Sequence, residues 1–242
     1  MNDLLNFDIT TTPGEVAYQK SSEDMALLFV LSVISEGYRE EPKYLAYVRN
    51  ICNQKSTNRV VIHIINRHYK RQVDSVGRNH PLNRLEDLLI WKKNQEQNGL
   101  TGLNDEYWLI CDRDNESFKE DQYDLLIKDC TQNNVNVIVS NPAFQIWLLL
   151  HFTNNLHSFN LSQYAKSSDC IKKGIEPAIK TFYPKYKHGK INTAYFGPLI
   201  KTAIDNSAKY CYNVEELKTM IGTNFRNLLT RIESISGKVI FE

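Results

Sequence analysis

Residues 106–115, EYWLICDRDN, decide the fold: an apolar run of strand length that breaks off into two aspartates one residue apart. A strand of this kind can be buried on both faces, as in a parallel sheet, and it delivers a pair of carboxylates at its C-terminal end. Alternate residues of an extended chain point the same way, so Asp112 and Asp114 would present their oxygens on one side, about 6–7 Å apart along the backbone. Such a bay suits a hard divalent cation.

Working outward, strand-like and helix-like segments alternate. Residues 27–35, LLFVLSVIS, form a continuous apolar run that ends in Glu36-Gly37. A helix opens near Pro42, with Tyr44, Leu45, Tyr47, Val48, Ile51 and Cys52 at the spacing of one buried face. Residues 59–66, RVVIHIIN, are β-branched and read as the second strand. From Pro81 the leucine spacing is helical and Asn98-Gly99 supplies the stop. After the 106–115 run, Ser117 and Glu120 read as a capping box opening the next helix. Residues 136–140, NVIVS, give a fourth strand, and 143–152, AFQIWLLLHF, a helix apolar nearly all round.

This alternation predicts an α/β fold: a mostly parallel four-stranded sheet with right-handed crossovers and flanking helices. Residues 1–24 are polar, punctuated by TTTPGE, and are expected to be a flexible tail. The α/β domain is expected over 25–155. A C-terminal helical extension is expected over 156–242, with helices at 161–165, 194–210 and 214–235.

The 242 residues carry 29 basic and 28 acidic side chains, so no global positive field announces a nucleic-acid partner and any such binding must rest on local patches. The five cysteines are scattered, with no CxxC, which argues against a disulfide framework and a zinc site. With no signal-peptide pattern and no apolar stretch of spanning length, the expectation is a cytoplasmic protein without a membrane span.

In an open α/β sheet the ligand site lies beyond the carboxyl ends of the strands. If the first and third strands are neighbours, Glu36, Asp112 and Asp114 converge there. Three carboxylates without a thiolate or histidine cluster favour Mg²⁺ or Mn²⁺. An aspartate after a strand is more often a cap or turn residue, but Ser117 and Glu120 are read as supplying that cap here. Glu40 and Glu41 open the first helix, where dipole partnership is the first reading and ligation by Glu41 the second. Asn141-Pro142 either positions substrate or turns the chain. His151 reads as a hydrogen-bonded core histidine. Arg67, Lys70 and Arg71, with Arg78 and His80 beyond them, form one basic patch able to meet phosphates; Lys185 and Lys187 form another.

The blocks SEGYREEPKY (35–44), CDRDN (111–115) and SNPAFQIWLLLHF (140–152), in this order, resemble the RloB-like abortive-infection proteins, which belong to the wider Toprim group. The resemblance is clear over 27–152 and continues weakly into AIDNSA and TNFRNLL. It implies a Toprim-type metal nuclease site, with Glu36 as general acid/base and secondary ligand and with Asp112 and Asp114 holding Mg²⁺. The family block usually reads FELW; here it is FQIW, so Gln145 stands where a glutamate could ligate a second ion, and an amide oxygen would coordinate more weakly. The resemblance further implies a toxic nuclease in anti-phage defence, acting on RNA, tRNA first, ahead of DNA. It implies an AAA- or ABC-type ATPase partner, since this chain has no P-loop of its own. The competing expectation is a non-catalytic subunit of such an ATPase. A homo-oligomer is left open.

Overall fold

The structure, a computed structural model, describes residues 7–9, 29–55, 60–67, 80–163 and 170–242. Its centre is a six-stranded sheet in the order β1-β3-β2-β4-β5-β6. The strands are β1 (Phe7–Ile9), β2 (Phe29–Ser35), β3 (Val60–Arg67), β4 (Glu106–Asp112), β5 (Val135–Asn141) and β6 (Gly222–Thr223). The inner four, β3-β2-β4-β5, are all parallel, as the alternation predicted. Short antiparallel strands close both edges. One of them, β1, lies within the segment read as a tail and pairs Phe7–Ile9 with Ile65–Arg67 of β3.

Helices α1 (Glu40–Lys55), α2 (Pro81–Gln97), α3 (Glu120–Gln132) and the short α4 (Gln145–Leu149) follow β2, β3, β4 and β5 in turn. The sheet is buried on both faces, and its side chains alternate between two cores. Leu31, Val33, Trp108, Ile110 and Ile138 join Tyr44, Leu45, Val48 and Cys52 of α1 and all five residues of α4 but Gln145. Ile34, Leu109, Cys111 and Val139 join Leu85, Leu88 and Trp91 of α2 and Tyr123, Leu126 and Cys130 of α3. Leu31, Val33, Leu45 and Val48 are wholly buried, and each stabilises the fold by about 1.5–3 kcal/mol. The stop after α2 is as read: the N–H of Leu100 donates to Gln95 O at 3.0 Å, and Gly99 takes φ +65°.

The C-terminal part adds α5 (Glu176–Phe182), α6 (Thr193–Phe196), α7 (Ile200–Ser207), α8 (Val214–Leu217) and α9 (Arg226–Ser236). Phe196, Ile200, Ala203, Phe225, Leu228 and Leu229 pack into the α1 side of the same core. The single helix expected over 214–235 is instead two helices divided by β6. The cause is Asn224, whose Oδ1 accepts from Val139 N at 2.7 Å and whose Nδ2 donates to Val137 O at 3.0 Å. Its side chain substitutes for a strand along the edge of β5, and satisfying those buried backbone groups outweighs local helix propensity. The helix expected over 194–210 is likewise broken, by the turn at Gly197–Leu199. That expected over 161–165 is a 3-10 turn at Leu161–Gln163, and 164–165 lie outside the described residues.

His151 is a core residue, as read. Its Nδ1 donates to Trp147 O at 3.0 Å, so Nε2 accepts from the Tyr44 hydroxyl at 3.1 Å, and burial lowers its pKa to about 4. Asn141 turns the chain and ties down α8, its Nδ2 donating to Leu217 O at 2.9 Å. Among the described residues no helix is long and apolar enough to cross a membrane.

Candidate functional site

The chain runs from β2 outward to β3, then back across β2 to β4, so the strand order reverses between β2 and β4. That reversal opens a crevice at the carboxyl ends of the two strands, where ligands of open α/β sheets bind. Glu36 leaves β2 on one side of the crevice and Asp112 ends β4 on the other. The N–H of Glu36 donates to Ile110 O at 2.8 Å, and Glu36 Oε2 accepts from Asp112 N at 2.9 Å. Asp112 Oδ1 in turn accepts from Phe144 N at 2.8 Å, which links the cluster to the start of α4. Each carboxylate thus uses one oxygen on a backbone N–H left over at an element end.

Glu41 completes the group from the first turn of α1. Its carboxylate lies so close over Gly37 that a Cβ at position 37 would collide with it. Glycine is needed there for close approach, not for an unusual φ. Burial first, then the neighbouring carboxylates, push these acids up: Glu36 to about 8, with Glu41 and Asp114 adding to the effect while Asp112 N–H and Arg84 oppose it. Glu41 rises to about 7 through burial and Glu40. Asp112 stands well above the usual carboxylate range through burial, Glu41 and Glu36. Mutually raised carboxyls in a crevice are what a divalent cation relieves. Among the described residues no three His, Cys, Asp or Glu side chains are already drawn together at ligand spacing. The acids interact through space while resting on backbone amides.

Asp114 is placed differently from the reading that freed it for ligation. Its Oδ1 accepts from Glu116 N at 3.0 Å and its Oδ2 from the Ser117 hydroxyl at 2.7 Å, while its carbonyl accepts from Phe118 N at 2.8 Å. Ser117 therefore supports Asp114 and does not cap α3. The cap lies at Lys119, whose N–H donates to Gln122 Oε1 at 2.9 Å. Arg113 between the aspartates is buried, its guanidinium 5.0 Å from the Tyr123 ring centroid and bonded to Phe118 O. It staples the loop to α3.

Gln145 is 3% exposed, and its Nε2 donates to Glu40 Oε2 at 2.6 Å. Glu40 also accepts from the Tyr186 hydroxyl at 3.0 Å, and His188 Nδ1 stands 3.6 Å from it. Gln145 Oε1 is buried without a partner. The C-terminal part thereby reaches the site: Tyr186 is buried as an anchor, while Lys185, Lys187, His188 and Lys190 stay exposed around it. Within the same loop Gly189 packs beside Arg39.

His80 caps α2. Its Nδ1 accepts from Leu82 N at 3.3 Å, and its ring packs edge-on against Phe118 at 5.1 Å. Arg67 ends β3, and Lys70, Arg71 and Arg78 lie outside the described residues. The site residues that the sequence reading missed are Arg84, buried beside Glu36 and paired with Asp87 at 3.4 Å, and the Tyr186–Glu40 link. Arg84 shares a face of α2 with Pro81 and Leu88, and an arginine at that apolar spacing is the sequence signal for it.

An open parallel sheet with buried carboxylates gathered at its strand-order reversal defines the class: an α/β protein with an acidic switch-point site. The chain belongs to the RloB-like family, whose model, described as RloB-like protein, matches residues 31–234. No curated protein and no solved structure shows a significant match to it.

Proposed function

We propose that this chain is a divalent-cation-dependent phosphodiesterase of the Toprim kind. It would cleave RNA, tRNA first, or DNA as the toxic effector of an anti-phage abortive-infection system with an ATPase partner. The observation that carries this reading is the gathering of Glu36, Glu41 and Asp112 at the strand-order reversal, where burial raises all three and neighbouring carboxylates add to it: Glu41 for Glu36 and Asp112, and Glu40 for Glu41. A fold gains no stability from such a cluster, and its cost is offset only by what it binds.

The donor set fits Mg²⁺ or Mn²⁺: all oxygen, acidic and bedded on backbone N–H groups. Asp112, Glu36 and Glu41 would hold the ion, while Asp114 adds its charge nearby with both oxygens engaged in its own turn. When bound, the ion would supply charge neutralisation at a phosphoryl oxygen and a more acidic water. Glu36, at the edge of the ion's shell, would also serve as general acid/base, exchanging a proton with the attacking water or the leaving oxygen. The exposed Lys185, Lys187, Lys190 and Arg39 form a basic rim that holds the phosphates on either side and offsets the repulsion between backbone and acids.

A second reading, a non-catalytic Toprim-fold subunit of a defence ATPase, draws on Gln145 and on the turn-capping use of Asp114. Calorimetric titration with Mg²⁺ and Mn²⁺ separates the two. The nuclease reading expects uptake that Asp112→Ala abolishes, together with changed tRNA profiles in cells expressing the wild-type chain but not Glu36→Ala. Absence of uptake, or identical profiles, favours the non-catalytic subunit.

A further inference from the structure

We propose that Tyr38, braced by Arg39, is a stacking platform for one unpaired base beside the scissile phosphate, so that the substrate is presented as a single strand or loop and not as a duplex. The inference rests on the phosphodiesterase reading for the position of the phosphate and adds the form of nucleic acid recognised there.

Tyr38 is separated from Glu36 by one glycine, which places its Cα within about 7 Å of that of Glu36. It is 65% exposed, among the most exposed large side chains of the described residues, although the loop carrying it is pinned at both ends. Ser35 Oγ donates to Gly37 O at 2.8 Å on one side, and α1 begins at Glu40 on the other. A tyrosine left in water gives up burial that would stabilise the fold. Here its orientation is set instead: the Arg39 guanidinium lies 4.9 Å from the ring centroid. Arg39 itself rests beside Gly189 of the basic 185–190 loop, where an added Cβ would lie 3.4 Å from its Cδ.

The result is an aromatic face backed by a cation, adjoining carboxylates on one side and a lysine-bearing loop on the other. Proteins that hold single strands combine these parts: aromatic rings on which bases stack, arginine behind them, and cationic side chains along the phosphates. A duplex keeps its bases stacked on one another and offers none to Tyr38; only an unpaired or looped base can reach it. The site needs no base identity, because every base has a π-face.

The test uses the full chain with Mg²⁺ and an oligoribonucleotide carrying 2-aminopurine, either single-stranded or annealed to its complement. It is run in the wild-type and Glu36→Gln proteins, the latter to hold cleavage back. The single strand is expected to bind more tightly than the duplex and to show quenched fluorescence. Tyr38→Ala should weaken single-strand binding about tenfold, the order of one lost base stack, and remove the quenching, while Tyr38→Trp restores both. Equal binding by Tyr38→Ala and wild type, or duplex binding as tight as single-strand binding, overturns the proposal and leaves Tyr38 as a contact for a protein. Quenching that depends on Tyr38 without any cation-dependent cleavage would instead retain the platform and reject the phosphodiesterase.

Discussion

The backbone N–H of Asp112 donates to Glu36 Oε2 at 2.9 Å, so the loop leaving β2 is fastened to the last residue of β4 by one of the site's own carboxylates. The bond serves the fold and the chemistry together. It satisfies a strand-end donor, and it holds two acids of like charge in one buried crevice, a placement that destabilises the chain unless a proton or a cation is shared between them.

Asp112→Asn is therefore expected to stabilise the chain without divalent cations, by about 1–2 kcal/mol, the usual gain when a site residue is released from its function. Asparagine keeps an oxygen for the Phe144 N–H and removes a charge from Glu36 and Glu41. Thermal melts with and without Mg²⁺ check this: the wild type should gain stability from the ion, and the variant should start higher and gain none.

The same acids set a pH dependence. Glu36 and Glu41 rise from about 4.5 in the unfolded chain to about 8 and about 7 in the folded one. Between those values the folded state binds more protons than the unfolded state, so stability falls as pH rises from about 4.5 through 8, and Asp112, raised in the same direction, adds to the decline. Urea midpoints measured without divalent cations between about pH 5 and pH 9 should decline across this window, and Glu36→Gln should flatten the upper part of the decline.

Much of this arrangement was legible in the sequence because it is local. The runs ending in Ser35, Asp112 and Asn141 are apolar strands of ordinary length, their alternation with helices forces parallel order, and parallel order places strand ends together. What escaped depends on contacts between distant residues. Asn224 interrupts a helical pattern because β5 offers it an edge, and nothing near position 224 announces that edge. The choice between Asp114 and Ser117 as the turn-forming residue depends on how Arg113 is pulled under α3. Tyr186 lies between the lysines of a basic patch, and its burial against Glu40 joins residues 146 positions apart.

Asn224→Ala should cost about 1–3 kcal/mol, since it leaves the buried Val139 N and the half-buried Val137 O without the two bonds that replace strand pairing. Chemical denaturation measures the loss. Asn224→Asp should recover little of it, because a carboxylate accepts from Val139 N but cannot donate to Val137 O.

Gly37→Ala tests Glu41 without altering any carboxyl. The new methyl would occupy the space of the Glu41 carboxylate and displace it from Glu36 and Asp112. Mg²⁺ affinity is expected to fall about tenfold, the order lost when a group that orients a metal site is removed, while the far-ultraviolet circular dichroism stays unchanged. Glu41→Ala should match that loss in calorimetry. If Gly37→Ala binds the ion as the wild type does, Glu41 is only a dipole partner of α1.

Asp112 and Asp114 are separated by the work each oxygen already does. Asp114 accepts from Glu116 N and from the Ser117 hydroxyl, whereas Asp112 accepts from Phe144 N alone. Drawing Asp114 into a coordination shell would give up its turn, which makes it the weaker ligand. Asp114→Asn, which retains an oxygen for the Glu116 N–H, is therefore expected to lower Mg²⁺ affinity less than Asp112→Asn does. Parallel titrations of the two variants decide the point, and equal losses would mean that the turn opens when the ion binds.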